Sequence, residues 1–362
     1  MTSRANQLQF LRFLAFLLIF SLHCGSIYPL SWLPGNNGAA YAVSFFFMLS
    51  GFVAAYSRYG KPVDSSPRSI IQYIWKKLKK SYPLYVVTLL FAAVYNDLPL
   101  SFTINTGSHL LKPLLVQLLK NLLLIQSWFR TGYFAYNGVG WFLSTIFFLY
   151  LITLPALAII NKIQKSKHHV IFNTFMVFAF IGFAFFYAWF VRDHNVEFWG
   201  YIFPPARVAE YLIGILLGYL VHDIHPVLSK SKVTAPLTTG IEAGIFLLLG
   251  YLIFREFPFW QNRIAIWLFP NIILLLSFGL GTSYFSKLFS WRPLVSLGNI
   301  SFECFLIHPV IINFYRYLSG MSHTVVHEDT YYYNGNVFSL LYCLGLTLLI
   351  AFYVHYSTFK TK

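Results

Sequence analysis

The sequence predicts an all-α polytopic membrane protein, and three observations carry that prediction. Of its 362 residues, 57% are hydrophobic and only 10% are charged, where a soluble domain carries about 25% charged residues. Apolar runs of the length that crosses a bilayer as a helix, roughly 17–25 residues, recur along the whole chain. The surplus positive charge, formally +15, is gathered into alternate loops between those runs. No polar stretch is long enough for a second folded unit, so residues 1–362 are read as a single transmembrane domain.

About ten spans are expected, near residues 8–27, 38–57, 82–96, 138–160, 170–191, 203–221, 236–254, 263–283, 294–318 and 337–357. The first is read as a retained helix and not a cleaved leader, because Arg12 interrupts its apolar region and no small-residue cleavage site follows. The third is short, opens on Tyr82-Pro83, and can extend back into the basic residues before it. Within the long outer loop 97–137, leucines pair at 110/111, 114/115, 118/119 and 122/123, with Lys112, Gln117, Lys120 and Asn121 mostly opposite. That spacing predicts an interfacial or re-entrant amphipathic helix in the outer leaflet; the alternative is an eleventh, poorly formed span.

Charge sets the expected orientation. With the N-terminus inside, the inner loops and tails hold Arg4, Arg58, Lys61, Arg68, Lys76, Lys77, Lys79, Lys80, Lys162, Lys165, Lys167, Lys230, Lys232, Lys287, Arg292, Lys360 and Lys362. The outer loops hold only Lys112, Lys120, Arg130, Arg192, Arg255 and Arg263, while Asp97, Asp193, Glu197, Glu256, Glu328 and Asp329 also lie outside. This is a positive-inside pattern. It places both termini in the cytoplasm of a plasma or inner membrane and assigns the positive charge to topology and lipid headgroups, not to nucleic acid. Cys24, Cys304 and Cys343 show no metal or disulfide spacing.

Ionisable side chains within a membrane cost roughly 2.5–3.5 kcal/mol on insertion scales and mark function by default. Here they are Arg12, Arg207, Glu210, Glu242, Glu303 and Arg316, joined by the polar His23 and His308. Eleven residues separate Arg12 from His23, so on one helix they differ by about 20° in azimuth and about 16 Å along the axis. They therefore face one side at opposite depths. Read alone, Arg12 is a snorkelling cation and His23 an interhelical polar contact; read together, they line a path across the membrane. Cys24 adjoins His23, but neighbouring helical residues do not face each other, which weighs against a nucleophile pair. Arg207 and Glu210, at i, i+3, form an expected in-membrane ion pair, and Glu210, Gly214 and Gly218 make a stripe that admits a close helix. His308 precedes Pro309 on the ninth span, beside Asn299, Glu303 and Asn313. The basic inner loop suits acidic lipid headgroups or a polyanionic cytosolic molecule. Glu242, Glu303 and Arg316 take no assigned role.

In this order the features resemble the acyltransferase-3 family of integral membrane O-acyltransferases. Arg12 to His23 resembles its basic-residue-x10-histidine motif, SFFFMLSGF (Ser44–Phe52) its FF-x-x-SGF segment, and KKSYPLY (Lys79–Tyr85) its R-x-YP-x-Y motif. VGWFLSTIFFLYLI (Val139–Ile152), RVAEYLIGILLG (Arg207–Gly218) and LGNISFECFLIHPVI (Leu297–Ile311) resemble later signatures. Two departures stand out. Lys80 replaces the usual arginine and cannot grip a phosphate in two-pronged fashion. Thr145-Ile146 follows Ser144 where larger members carry an acid.

The resemblance implies transfer of an acyl group, usually acetyl from acetyl-CoA, to a sugar hydroxyl of an envelope glycan or glycolipid. It makes acyl-CoA, the acceptor and membrane lipid the partners. On that reading Arg12 and Lys80 hold the CoA phosphates, Lys77, Lys79, Tyr82 and Ser50 also bind the cofactor, and His23, with Arg12 and Glu210 in the catalytic set, takes the hydroxyl proton as general base. Glu210, held by Arg207, or His308 orients the acceptor or the base, with Trp141 beside the acceptor. No metal is required. No appended hydrolase-like domain is visible, so the membrane core is expected to perform the whole transfer. A transporter or flippase using the membrane charges as its path is the rival reading, and a sensor without catalysis a third.

Overall fold

A computed structural model of the chain describes residues 5–25, 27, 35–94, 111–231, 233–255, 265–319 and 335–360. Arg4, Asp97, Lys232, Glu256, Arg263, Glu328, Asp329 and Lys362 lie outside the described residues. The helices in chain order are α1 (Gln7–Cys24), α2 (Asn36–Tyr56), α3 (Pro67–Ala92), α4 (Leu111–Leu122), α5 (Gly140–Ile163), α6 (His169–Val191), α7 (Val208–Leu228), α8 (Thr234–Ile253), α9 (Leu268–Leu280), α10 (Tyr284–Phe289), α11 (Arg292–Asn299), α12 (Ser301–Leu318) and α13 (Val337–Lys360). A single π-helical turn (Glu197–Ile202) and a 3-10 turn (Pro204–Arg207) lead into α7.

The chain is an all-helical, multi-pass membrane protein among the described residues. Seven helical segments are long and apolar enough to cross a bilayer, and an eighth if α11 and α12 count as one broken span. The expected third span falls on α3, which runs without interruption from Pro67 through the basic residues and past Pro83 to Ala92 and is not among those seven. Within the expected loop 97–137 a helix is present as α4, with Leu115, Val116 and Leu119 exposed.

The chain divides into two compact units. The first comprises residues 1–15, 36–76 and 145–299. Its centre is the packing of α2 on α7. In lipid, apolar side chains gain little by associating, so close backbone contact through small residues supplies the attraction. Here a methyl group on Gly51 would overlap the Tyr211 carbonyl, and one on Gly214 would overlap the Met48 carbonyl. A methyl on Gly218 would lie 2.8 Å from the Phe52 carbonyl oxygen. The expected glycine stripe is thus the seam of this unit. Helix α6 buries one stripe, Asn173, Val177, Ile181, Ala184, Ala188 and Val191, at helical spacing. It turns Phe175, Phe178, Phe183, Phe186 and Phe190 outward, the pattern of a helix with protein on one face and lipid on the others. The start of α1 is anchored where Gln7 Nε2 donates to the Phe278 carbonyl at 2.8 Å.

The second unit comprises residues 16–35, 77–144 and 300–362. Tyrosine hydroxyls tie α3 to α4: Tyr82 donates to the Leu122 carbonyl at 2.8 Å and Tyr85 to the Asn121 carbonyl at 3.0 Å. Ser127 Oγ donates to the Trp141 carbonyl at 2.8 Å, fixing the entry to α5. Helix α13 packs along α12, with Glu303 2.8 Å from His355 Nδ1.

Candidate active site

The last turn of α1 carries His23, and α12 carries His308. The second unit brings them together: His23 Nδ1 lies 2.8 Å from His308 Nε2, with ring centroids 4.9 Å apart. His308 is fully buried, walled by the rings of Phe16, Phe20 and Phe305 at 5.6–6.2 Å. Its other nitrogen, Nδ1, lies 3.1 Å from the Cys304 carbonyl oxygen one turn earlier.

His23 also makes a backbone hydrogen bond with Ile19, and with both imidazoles neutral the His308 contacts are met by one pair of tautomers. A carbonyl only accepts, so His308 carries its proton on Nδ1 and donates it to Cys304. His308 Nε2 is then an acceptor, and His23 must donate to it from Nδ1. The lone pair of His23 is left on Nε2. The arrangement is a chain of contacts, carbonyl to imidazole to imidazole, that ends at His23.

His23 is half-buried and lines a cavity of about 510 Å³ shared with Leu22, Tyr136, Ile312, Asn313 and Arg316. That volume falls within the range of small-ligand sites. Tyr136 sits in the left-handed region at φ 62°, an uncommon conformation for a tyrosine that tends to occur at functional sites. Its hydroxyl donates to the Leu114 carbonyl at 2.6 Å. The adjacent Asn137, fully buried, donates from Nδ2 to Thr88 Oγ1 at 3.0 Å and to the Leu306 carbonyl at 3.1 Å. It pins this loop to α12 two residues before His308. Sequence reasoning missed Tyr136 and Asn137; the Asn137-Gly138 turn signal just before the fourth span was the available clue.

The other expected site residues of this unit are placed as follows. Lys77, Lys79 and Lys80 are exposed on α3. Tyr82 is half-buried, with its hydroxyl engaged by α4. Trp141 is buried at the start of α5.

In the first unit, Arg207 and Glu210 form the expected pair. Arg207 Nη1 reaches Glu210 Oε1 at 3.1 Å and Oε2 at 3.0 Å, while Nε donates to the Tyr201 carbonyl at 3.0 Å. The guanidinium lies over the rings of Tyr201 and Phe47, 4.6 and 5.4 Å from their centroids. Arg12 Nη1 donates to Gln9 Oε1 at 3.1 Å, and Ser50 Oγ donates to the Phe46 carbonyl at 2.7 Å. Glu242, for which the sequence offered no partner, accepts from Ser277 Oγ at 2.8 Å.

Comparison with known proteins bears on this geometry. A family model described as an acyltransferase domain matches residues 6–356. The chain is 27% identical over 308 residues to "Acyltransferase MdmB" of Streptomyces mycarofaciens, covering 77% of this chain and 70% of that protein. It is 22% identical over 331 residues to "Nose resistant to fluoxetine protein 6" of Caenorhabditis elegans, covering 77% of this chain and 39% of that protein. No solved structure gives a significant match.

Proposed function

The chain belongs to the acyltransferase-3 family, and from that premise we propose that it transfers an acyl group, acetyl in the first instance, from acyl-CoA to a sugar hydroxyl of an envelope glycan or glycolipid. The observation that carries this reading is the His23–His308 contact at 2.8 Å beside a cavity that His23 lines. A sugar hydroxyl is a weak nucleophile at neutral pH and needs a positioned base. In the proposed step His23 Nε2 accepts the hydroxyl proton as the oxygen attacks the thioester carbonyl. The tetrahedral intermediate collapses to the ester and expels the CoA thiolate, which takes the proton back from His23. His308, anchored by Cys304, holds the ring and stabilises the imidazolium that forms transiently. It is a positioning residue.

For the donor, the exposed Lys77, Lys79 and Lys80 are proposed to meet the polyanionic end of CoA. Arg12 is proposed to share that task from its place about 16 Å before His23 along the axis of α1. Ser50, Tyr82 and Trp141 keep their proposed parts in donor and acceptor binding, and Glu210 its proposed part in orienting the acceptor. Ten crossings, α4 at the outer leaflet, and both termini inside a plasma or inner membrane complete the proposal. The family membership gives a carrier function no support.

The test is mass spectrometry of envelope glycans from cells carrying the intact protein or His23→Ala at equal membrane abundance. Loss of a single acyl mass in the variant is expected. An unchanged glycan profile with His23→Ala would refute the mechanism.

A further inference from the structure

We propose that Arg316 makes the cavity beside His23 an oxyanion-binding subsite, so that the acceptor is an anionic sugar bearing a phosphate or a carboxylate. The inference rests on the acyl-transfer reading for its biological meaning but not for its test.

Helix α12 presents Pro309, Ile312, Asn313 and Arg316 to the cavity, an i, i+3, i+4, i+7 face. The Nε atom of Arg316 is buried and has no hydrogen-bond partner among the described residues. A buried donor on a charged group is costly to leave unmade, and a cation in a membrane segment is retained for pairing or function. Among the described residues the lining contains no carboxylate: its polar side chains are His23, Tyr136, Asn313 and Arg316. A guanidinium presents donors in a planar fork that matches phosphate and carboxylate oxygens, and the Asn313 amide offers further donors on the same face.

Position separates this subsite from the chemistry. Arg316 follows His308 by eight residues, about 12 Å along the helix axis. In this proposal Arg316 meets a substituent of the acceptor, while His23 in the same cavity meets its hydroxyl. Coenzyme A also carries phosphates, and the experiment must distinguish the two sources.

The full chain in lipid nanodiscs is titrated with radiolabelled glucose 1-phosphate, methyl glucuronoside, methyl glucoside and acetyl-CoA. Wild-type protein is expected to bind at least one of the two anionic sugars ten-fold or more tightly than methyl glucoside. The preferred anion tells phosphate from carboxylate. Arg316→Gln should abolish the preference, and Arg316→Lys, which keeps the charge without the fork, should retain part of it. Equal affinity of the wild type for charged and neutral sugars would overturn the inference. So would an Arg316→Gln protein that folds, by its thermal transition, but loses acetyl-CoA binding while keeping the sugar preference. Failure of the acyl-transfer reading shows separately: wild type releases no CoA with any acceptor, yet the charge preference persists and the oxyanion subsite stands.

Discussion

Two buried polar pairs invite comparison. Arg207 and Glu210 are three residues apart, exchange two hydrogen bonds, and are closed in by the Tyr201 carbonyl and two aromatic rings. His23 and His308 are 285 residues apart, share one hydrogen bond, and border a cavity. In the first pair, Arg207 Nη1 and Nε are taken up by local contacts. The second links the ends of the chain at the edge of a cavity, where the proposed mechanism gives His23 the role of base. Burial alone does not mark a functional group in a membrane protein; the difference the proposed chemistry uses is that the second pair borders a cavity.

Mutations can break or sharpen this contrast. The largest effect is expected from His23→Ala, which should lower kcat for acyl transfer by about 10²–10⁴, the usual contribution of a general base, while leaving the unfolding temperature near that of the wild type. Next, breaking the closed pair by Arg207→Ala should destabilise the first unit by about 3–5 kcal/mol through the uncompensated Glu210 carboxylate, read as a fall in unfolding temperature. Glu210→Gln then decides its proposed orienting role: an acyl-transfer rate per folded molecule equal to wild type would confine the pair to structure. His308→Gln is expected to slow turnover about ten-fold to a hundred-fold and to displace the pH–rate profile, with little change in the KM for acyl-CoA. A purely structural histidine would leave the profile in place. Gly214→Ala, which forces α2 and α7 apart, should cost about 1–3 kcal/mol, measurable in the same unfolding assay.

A smaller effect belongs outside the membrane. Hydrogen bonds from Ser69 and Ser66 hold the exposed Asp64 carboxyl below its ordinary range. Its contribution to the start of α3 is therefore present above the unfolded carboxylate pKa and lost as pH falls through the lower folded value. Asp64→Asn should remove that acid-side dependence, seen as a flatter unfolding temperature on acidification.

The two pairs also show what the sequence could disclose. Arg207–Glu210 was legible because helical periodicity alone sets an i, i+3 contact, and the Gly214–Gly218 stripe pointed to the α2–α7 seam for the same reason. His23 and His308 were each legible as polar groups where a bilayer disfavours them. Their contact was not, because no local rule connects residues at opposite ends of a chain. Tyr136 and Asn137 lay in a loop with no periodicity to interrupt, and their roles depend on a positive φ and on hydrogen bonds to α3 and α12. The extension of the expected third span back into the basic residues before Tyr82 was open in the sequence, since lysine is a good helix former, and α3 runs through them from Pro67 to Ala92.

The most direct test of this chain of contacts is ¹⁵N NMR of the protein with labelled histidine, assigned by His23→Gln and His308→Gln and recorded in nanodiscs at neutral pH. The account predicts both rings neutral and protonated on Nδ1, with the His23 proton shared toward His308 and His23 Nε2 unprotonated. A His23 ring carrying its proton on Nε2 would leave no base facing the acceptor and would contradict it.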